Sequence, residues 1–121
     1  MGMYTELVLK CDVLPDVPEN VGQVLNFLFC GGDEPTDLPD HSFFRCERWQ
    51  AVGRCNSYYH HPKTINSYTE NYLFSRSDLK NYDGEIEKFV DWVKPYLNMS
   101  AGDCIGWSWY EEAPSPTLIF M

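Results

Sequence analysis

Tyr4-Thr5-Glu6-Leu7-Val8-Leu9-Lys10-Cys11-Asp12-Val13 alternates along its whole length. Thr5, Leu7, Leu9, Cys11 and Val13 fall on one face and Tyr4, Glu6, Val8 and Lys10 on the other, and a side-chain period of two marks a half-buried strand. The period then changes. In Asp16-Val17-Pro18-Glu19, Asp16 can accept from the free N–H groups of a first helical turn, Glu19 can reach back to it, and Pro18 gives up a donor that has no partner there. Val21, Val24, Leu25 and Leu28 recur at helical spacing, and Gly31-Gly32 supplies the left-handed residue that ends a helix. A strand followed by a helix over about Val17 to Cys30 is predicted.

Working outward, Ile86, Phe89, Val90, Val93 and Leu97 form a second helical stripe. Asn81-Tyr82-Asp83 are its cap candidates, and Pro95 kinks or ends it by removing a backbone donor. Phe43 to Val52 is read as a strand that stops at Gly53, with a short helix over Phe44 to Trp49 as the alternative that periodicity leaves open. Further strands are expected over Ser57 to His61, ending at Pro62, and over Tyr68 to Ser75. Cys104 to Tyr110 and Thr117 to Phe120, joined by Glu111-Glu112-Ala113-Pro114-Ser115-Pro116, read as a hairpin. The order β-α-β-β-β-α-β-β predicts an α+β fold, an antiparallel sheet with two helices packed on one face, in one domain over residues 1–121.

At 44% hydrophobic and 16% aromatic the 121-residue chain lies far from the composition of disordered proteins. No run approaches the length of a membrane span, and Met1-Gly2 reads as a cloning remnant before a natural start at Met3. The five cysteines, Cys11, Cys30, Cys46, Cys55 and Cys104, are odd in number and unpaired in spacing, as expected of reduced thiols in a cytoplasmic protein.

The formal charge is −9, which argues against duplex nucleic acid and anionic membranes as partners. It is unevenly spread: residues 1–44 carry −7, residues 45–80 carry +3 and residues 81–121 carry −5. The middle third holds Arg45, Arg48, Arg54, Lys63, Arg76 and Lys80 among aromatic residues, and could take an anionic ligand or pair with acids of neighbouring strands.

Chemistry-bearing motifs are sparse. Cys46, Cys55, His60 and His61 have the ligand types zinc prefers, but eight residues separate the two cysteines, so no metal site is assigned. Cys55 beside Arg54 is a weak candidate thiolate with no local base to serve it. Glu111 and Glu112 are adjacent on an extended chain and so point to opposite faces, unlike a catalytic carboxylate pair. Gly31-Gly32-Asp33-Glu34 would repel a phosphate, and no cofactor is implied.

The stretch Ser75-Arg76-Ser77-Asp78-Leu79-Lys80-Asn81-Tyr82-Asp83, continued from Glu85 to Tyr96, together with Gly106, Tyr110-Glu111-Glu112 and Pro116-Thr117-Leu118-Ile119, resembles small uncharacterised bacterial proteins of mobile genetic elements, of the phage or integron-cassette type. The resemblance covers the C-terminal half and carries no catalytic motif. It implies a setting in which small acidic proteins act by binding, as immunity proteins or inhibitors of host defence.

Two functions follow as expectations. The first is a non-enzymatic acidic interaction protein that meets a basic partner protein through Asp33, Glu34, Asp37, Asp40 and Glu112. The second is a small-molecule binding protein or enzyme with a pocket between sheet and helices, lined by Trp49, Tyr58, Tyr72, Trp107 and Trp109, with Arg45, Arg48, His60 or Glu111 as polar heads. The final strand, Leu118-Ile119-Phe120-Met121, would also invite pairing with a second copy.

Overall fold

The computed structural model describes residues 3–54 and 63–121. Strand β1 (Thr5–Asp12) is the middle of a five-stranded sheet and pairs antiparallel on both edges, with β3 (Tyr72–Leu79) and β4 (Cys104–Tyr110). The outer strands are β2 (Ile65–Thr69) beside β3 and β5 (Thr117–Phe120) beside β4, also antiparallel. Helices α1 (Glu19–Cys30) and α2 (Glu85–Val93) complete the expected α+β architecture.

The alternation of β1 decides which face each helix meets. Leu7, Leu9 and Cys11 are buried with Leu73, Leu79 and Ile105 against the apolar stripes of both helices. Glu6, Val8 and Lys10 turn to the other face, opposite Asp78, Arg76 and Phe74 of β3. Helix α1 ends as expected, on Gly31 in the left-handed conformation, whose N–H donates to the carbonyl of Asn26. Its start differs: Pro18 occupies the cap position and no side chain caps the helix, so Asp16 does not serve there. The cap position of α2 falls on Gly84, in the left-handed conformation and beyond the expected Asn81-Tyr82-Asp83, while Asn81 Oδ1 reaches forward to accept the N–H of Ile86 at 2.8 Å. The α-helix ends at Val93 and tightens into a 3-10 turn over Lys94–Tyr96, because Pro95 has no N–H to continue the ladder.

Two strand expectations are corrected. Phe43 to Val52 forms 3-10 turns at Ser42–Arg45 and Trp49–Ala51. The buried residues here are Phe43, Cys46, Trp49 and Val52, spaced by three, and i with i+3 is the eclipsed pair of a 3-10 helix. Tyr68 to Ser75 is a hairpin in place of one strand: Glu70 and Asn71 both have positive φ, the conformation of a two-residue turn between Thr69 and Tyr72. The turn sends Tyr68 to the helix side, level with Leu73, and Tyr72 to the other face. The strand expected at Ser57 to His61 lies outside the described residues.

The 3-10 turns and helices close an aromatic cluster. Phe43 lies 5.0 to 6.1 Å, ring to ring, from Phe44, Trp49, Phe89 and Trp92, and each such buried ring contributes roughly 1.5–3 kcal/mol over an exposed one. Among the described residues no helix is long and apolar enough to cross a membrane. Cys11, Cys30, Cys46 and Cys104 are free thiols, of which only Cys30 is exposed.

Gly106 lies on β4 beside β1 with φ +154°, and a Cβ there would stand 1.9 Å from the Val8 carbonyl oxygen. Gly106→Ala must therefore part the two central strands, and a loss of at least ~2 kcal/mol is expected in urea unfolding. A second expectation concerns alkaline pH. Burial, with the Asp12 carboxylate adding to it, pushes the Cys11 thiol from 9.0 up to about 12. An unfolded chain releases this proton where the native one holds it. The thiol thus lowers stability by about 1.4 kcal/mol per pH unit as pH rises above the unfolded value, and has no effect below it. Unfolding free energies measured from neutral to strongly alkaline pH should fall less steeply in Cys11→Ala.

Candidate functional site

The sheet separates the aromatic residues expected to share a pocket. Trp49 is buried on the helix side, its ring 5.7 Å from Phe27 and 5.1 Å from Phe44. Tyr72, Trp107 and Trp109 belong to the other face: Tyr72 pairs with Asp12, Trp107 with Val8 and Trp109 with Glu6. A five-stranded sheet stands between the two groups, so Trp49 does not line a common cavity with the others. Tyr58 and His60 lie outside the described residues.

The basic residues of the middle third are also dispersed. Arg76 is buried and forms the centre of a charged triad. Its Nε donates to Glu6 Oε2 at 2.8 Å, its Nη2 lies 2.9 Å from Asp78 Oδ2, and its Nη1 donates to the Lys63 carbonyl at 2.7 Å. Trp107 Nε1 donates to the other oxygen of Glu6 at 3.4 Å. Arg54 donates to the carbonyl of Phe27 near the end of α1 at 3.1 Å and lies 4.4 Å above the Phe27 ring. Arg45 donates to Asp40 at 2.7 Å at the surface, while Arg48 is exposed beside a small hollow with Tyr4, Lys80, Tyr82 and Glu85. The Lys80 ammonium stands 5.8 Å above Tyr4 and 5.9 Å above Tyr82.

The acids divide by role. Asp33, Glu34 and Asp37 are exposed on the loop after α1, where Asp33 and Glu34 border a hollow of about 300 Å³ with Gln23 and Asn26. Glu111 is tied down, its carboxylate accepting the Tyr4 N–H while its own N–H donates to the Tyr4 carbonyl at 3.1 Å. Glu112 is exposed and bonds the Tyr110 side chain. Loss of hydration, then the carboxylates of Glu112 and Glu111, raises the Tyr110 hydroxyl above its usual range.

One titratable pair has the composition of a catalytic dyad but is spent on structure. His41 Nε2 lies 2.9 Å from Asp91 of α2, and His41 Nδ1 accepts the Phe43 N–H at 3.0 Å, capping the first 3-10 turn. With Nδ1 an acceptor, Nε2 carries the proton and donates to Asp91. Both ring nitrogens are thus engaged within the fold. Among the described residues no cluster of three His, Cys, Asp or Glu side chains could hold a metal ion.

A further concavity is a groove between α2 and the β4–β5 hairpin. A larger part, of about 550 Å³, is floored by Thr5, Ser108 and Thr117 and walled by Lys80, Tyr82, Glu87 and Tyr110. A smaller, mostly apolar part of about 240 Å³ continues along Ile86, Val90 and Ile119. Sequence reasoning passed these residues over because they come from β1, α2 and the hairpin, and meet only when the helix crosses the sheet. The sole signal is Ser108 and Thr117, small polar residues on otherwise apolar strands, which sit directly opposite each other. Comparison of the chain with protein-family models, with curated proteins and with solved structures finds no match in any of the three.

The Arg76 triad is the most demanding electrostatic arrangement among these features. Arg76→Met leaves the Glu6 and Asp78 carboxylates buried without their cation, and should cost about 3–5 kcal/mol in chemical denaturation. Lys10→Met, an exposed change on the same face of β1, should stay within about 0.5 kcal/mol.

Proposed function

We propose that this protein is a non-enzymatic interaction protein whose acidic surface binds a basic partner protein, in the manner of an immunity or defence-inhibitor protein. One observation carries this reading: exposed carboxylates gather on the loop after α1 and on the hairpin turn, while the arginines of the middle third are dispersed over the fold. Arg76 is buried between two carboxylates, Arg54 is held on a backbone carbonyl and an aromatic ring, and Arg45 is paired with Asp40. Asp33, Glu34, Asp37 and Glu112 are exposed and face solvent with no ion pair drawn to them among the described residues. The buried triad takes two carboxylates inside with one guanidinium, so the charge outside it is −8 of the chain's −9 and the surface stays acidic. Such a field accelerates encounter with a cationic protein and discriminates against acidic ones.

The measurement is the association rate with the partner recovered by cross-linking from the native host. The rate should fall about tenfold on going from roughly 50 mM to roughly 500 mM salt. Neutralising residues 33, 34 and 37 as the amides should lower the same rate and leave the dissociation rate nearly unchanged. A rate indifferent to salt overturns the proposal.

A further inference from the structure

Strand β5 is the outermost strand on its side of the sheet. Its inner edge is spent on β4, and just past the strand Met121 also turns inward, its N–H donating to the Asp103 carbonyl at 2.8 Å and its carbonyl accepting the Gly102 N–H at 3.0 Å. Alternation along the strand then directs the N–H and C=O of Phe120 and Leu118 outward. No described residue pairs with that outer edge. Folded proteins blunt such edges with lysine, proline or a bulge. Thr117-Leu118-Ile119-Phe120 contains no charge and no proline, and the register shift in the hairpin lies between Cys104 and Gly106 of β4.

The side chains continue the same pattern. Thr117 and Ile119 turn toward the apolar trough with Ile86 and Val90, which has room for an aliphatic side chain from a neighbouring strand. Leu118 and Phe120 turn to the other face, where about half of each remains exposed. A strand laid along β5 would find hydrogen-bonding groups on the edge and apolar contact on both faces.

Charge selects the occupant. Glu112 lies on the turn before Thr117, Glu87 borders the trough, and exposed Asp103 lies beside Met121 at the far end. Antiparallel pairing of two β5 strands would set the Glu112 end of one copy against the Asp103 end of the other, with like charges meeting twice. A foreign strand with cationic ends meets the same acids with opposite sign.

We propose that β5 accepts a segment of a partner protein as a sixth, extended strand, with an aliphatic side chain in the trough of Ile86, Val90 and Ile119 and lysine or arginine at the segment's ends. Main-chain hydrogen bonds to Leu118 and Phe120 hold the strand, and the flanking acids set its charge. The proposal rests on the basic-partner reading and adds to it the place and the form of contact.

The test uses the full chain and a synthetic peptide of seven alternating valines and threonines with two lysines at each end. Two further peptides serve as controls: one N-methylated throughout its valine–threonine core, and one with glutamates in place of the lysines. Binding is followed through backbone amide shifts. The lysine peptide is expected to shift Thr117 to Phe120, and N-methylation to weaken it at least about tenfold by removing the donors of strand addition. Leu118→Pro should abolish binding and leave the remaining spectrum in place, because the lost N–H is not used in pairing with β4.

Several results would overturn the strand: no binding of the lysine peptide, equal binding of its N-methylated form, or shifts confined to residues 33–40. Equal N-methylated binding leaves the basic-partner reading intact. Binding of the glutamate peptide as tightly as the lysine one defeats the basic-partner reading and keeps the strand edge. A dimer in sedimentation that Leu118→Pro dissolves, with no peptide bound, assigns the edge to a second copy and overturns the choice of occupant.

Discussion

Pairing of β1 on both of its edges is the constraint from which the remaining structure follows. From Thr5 to Leu9 each residue has a partner on β3 and another on β4, so the strand cannot slip by one residue without turning Leu7 and Leu9 away from the helices and Glu6 into them. The approach of β4 is close enough that only glycine fits at position 106. Register on one side places Arg76 beside Val8 and within reach of both Glu6 and Asp78; register on the other places Trp107 over the same group. The buried triad is therefore a product of strand pairing, one guanidinium set between two carboxylates.

That triad takes two acids inside with one base. The +3 balance of residues 45–80 suggests a basic patch, and burial of Arg76 with Asp78 leaves that balance unchanged, but the arginines are dispersed over the fold. Arg76 is spent inside the fold and Arg54 on the end of α1. Both tasks are structural: one neutralises buried carboxylates, and the other satisfies a carbonyl near a helix end that has no basic residue of its own in the last turn. What remains outside is mostly acid, and it surrounds an edge strand with no charge in its own four residues. Acid flanks and an apolar edge are the two features on which the proposed strand partner rests.

Much of the fold was legible. The alternation of residues 4–13, the stripe Val21-Val24-Leu25-Leu28 with Gly31, the stripe Ile86-Phe89-Val90-Val93 and the final hairpin all appear where their periods place them. The failures are local. Phe43, Cys46, Trp49 and Val52 repeat every third residue, a spacing that fits neither the period of a strand nor that of an α-helix, so the strand expectation fails there and the short helix left open over Phe44 to Trp49 comes only partly near the two 3-10 turns. The turn at Glu70-Asn71 is not legible in the sequence, because only Asn71 is a residue that favours positive φ and Glu70 is held there by the pairing of Thr69 with Tyr72. The candidate site was much less legible. Trp49, Trp107 and Trp109 look alike in sequence, and nothing in the residues around them says that a sheet will stand between the first and the other two.

The amino-acid sequence by itself determined the elements whose side chains repeat, the α+β class they compose, and the excess of acid over base. These depend on neighbours within about ten positions, and short-range geometry decides them. Only the tertiary structure decided that Arg76 is buried between Glu6 and Asp78, that Lys80, Glu87, Ser108 and Thr117 border one groove, and that β5 is left at an edge. The reason is physical: Glu6 and Arg76 are seventy positions apart, and contacts across such distances exist only after the strands between them have chosen their order and register.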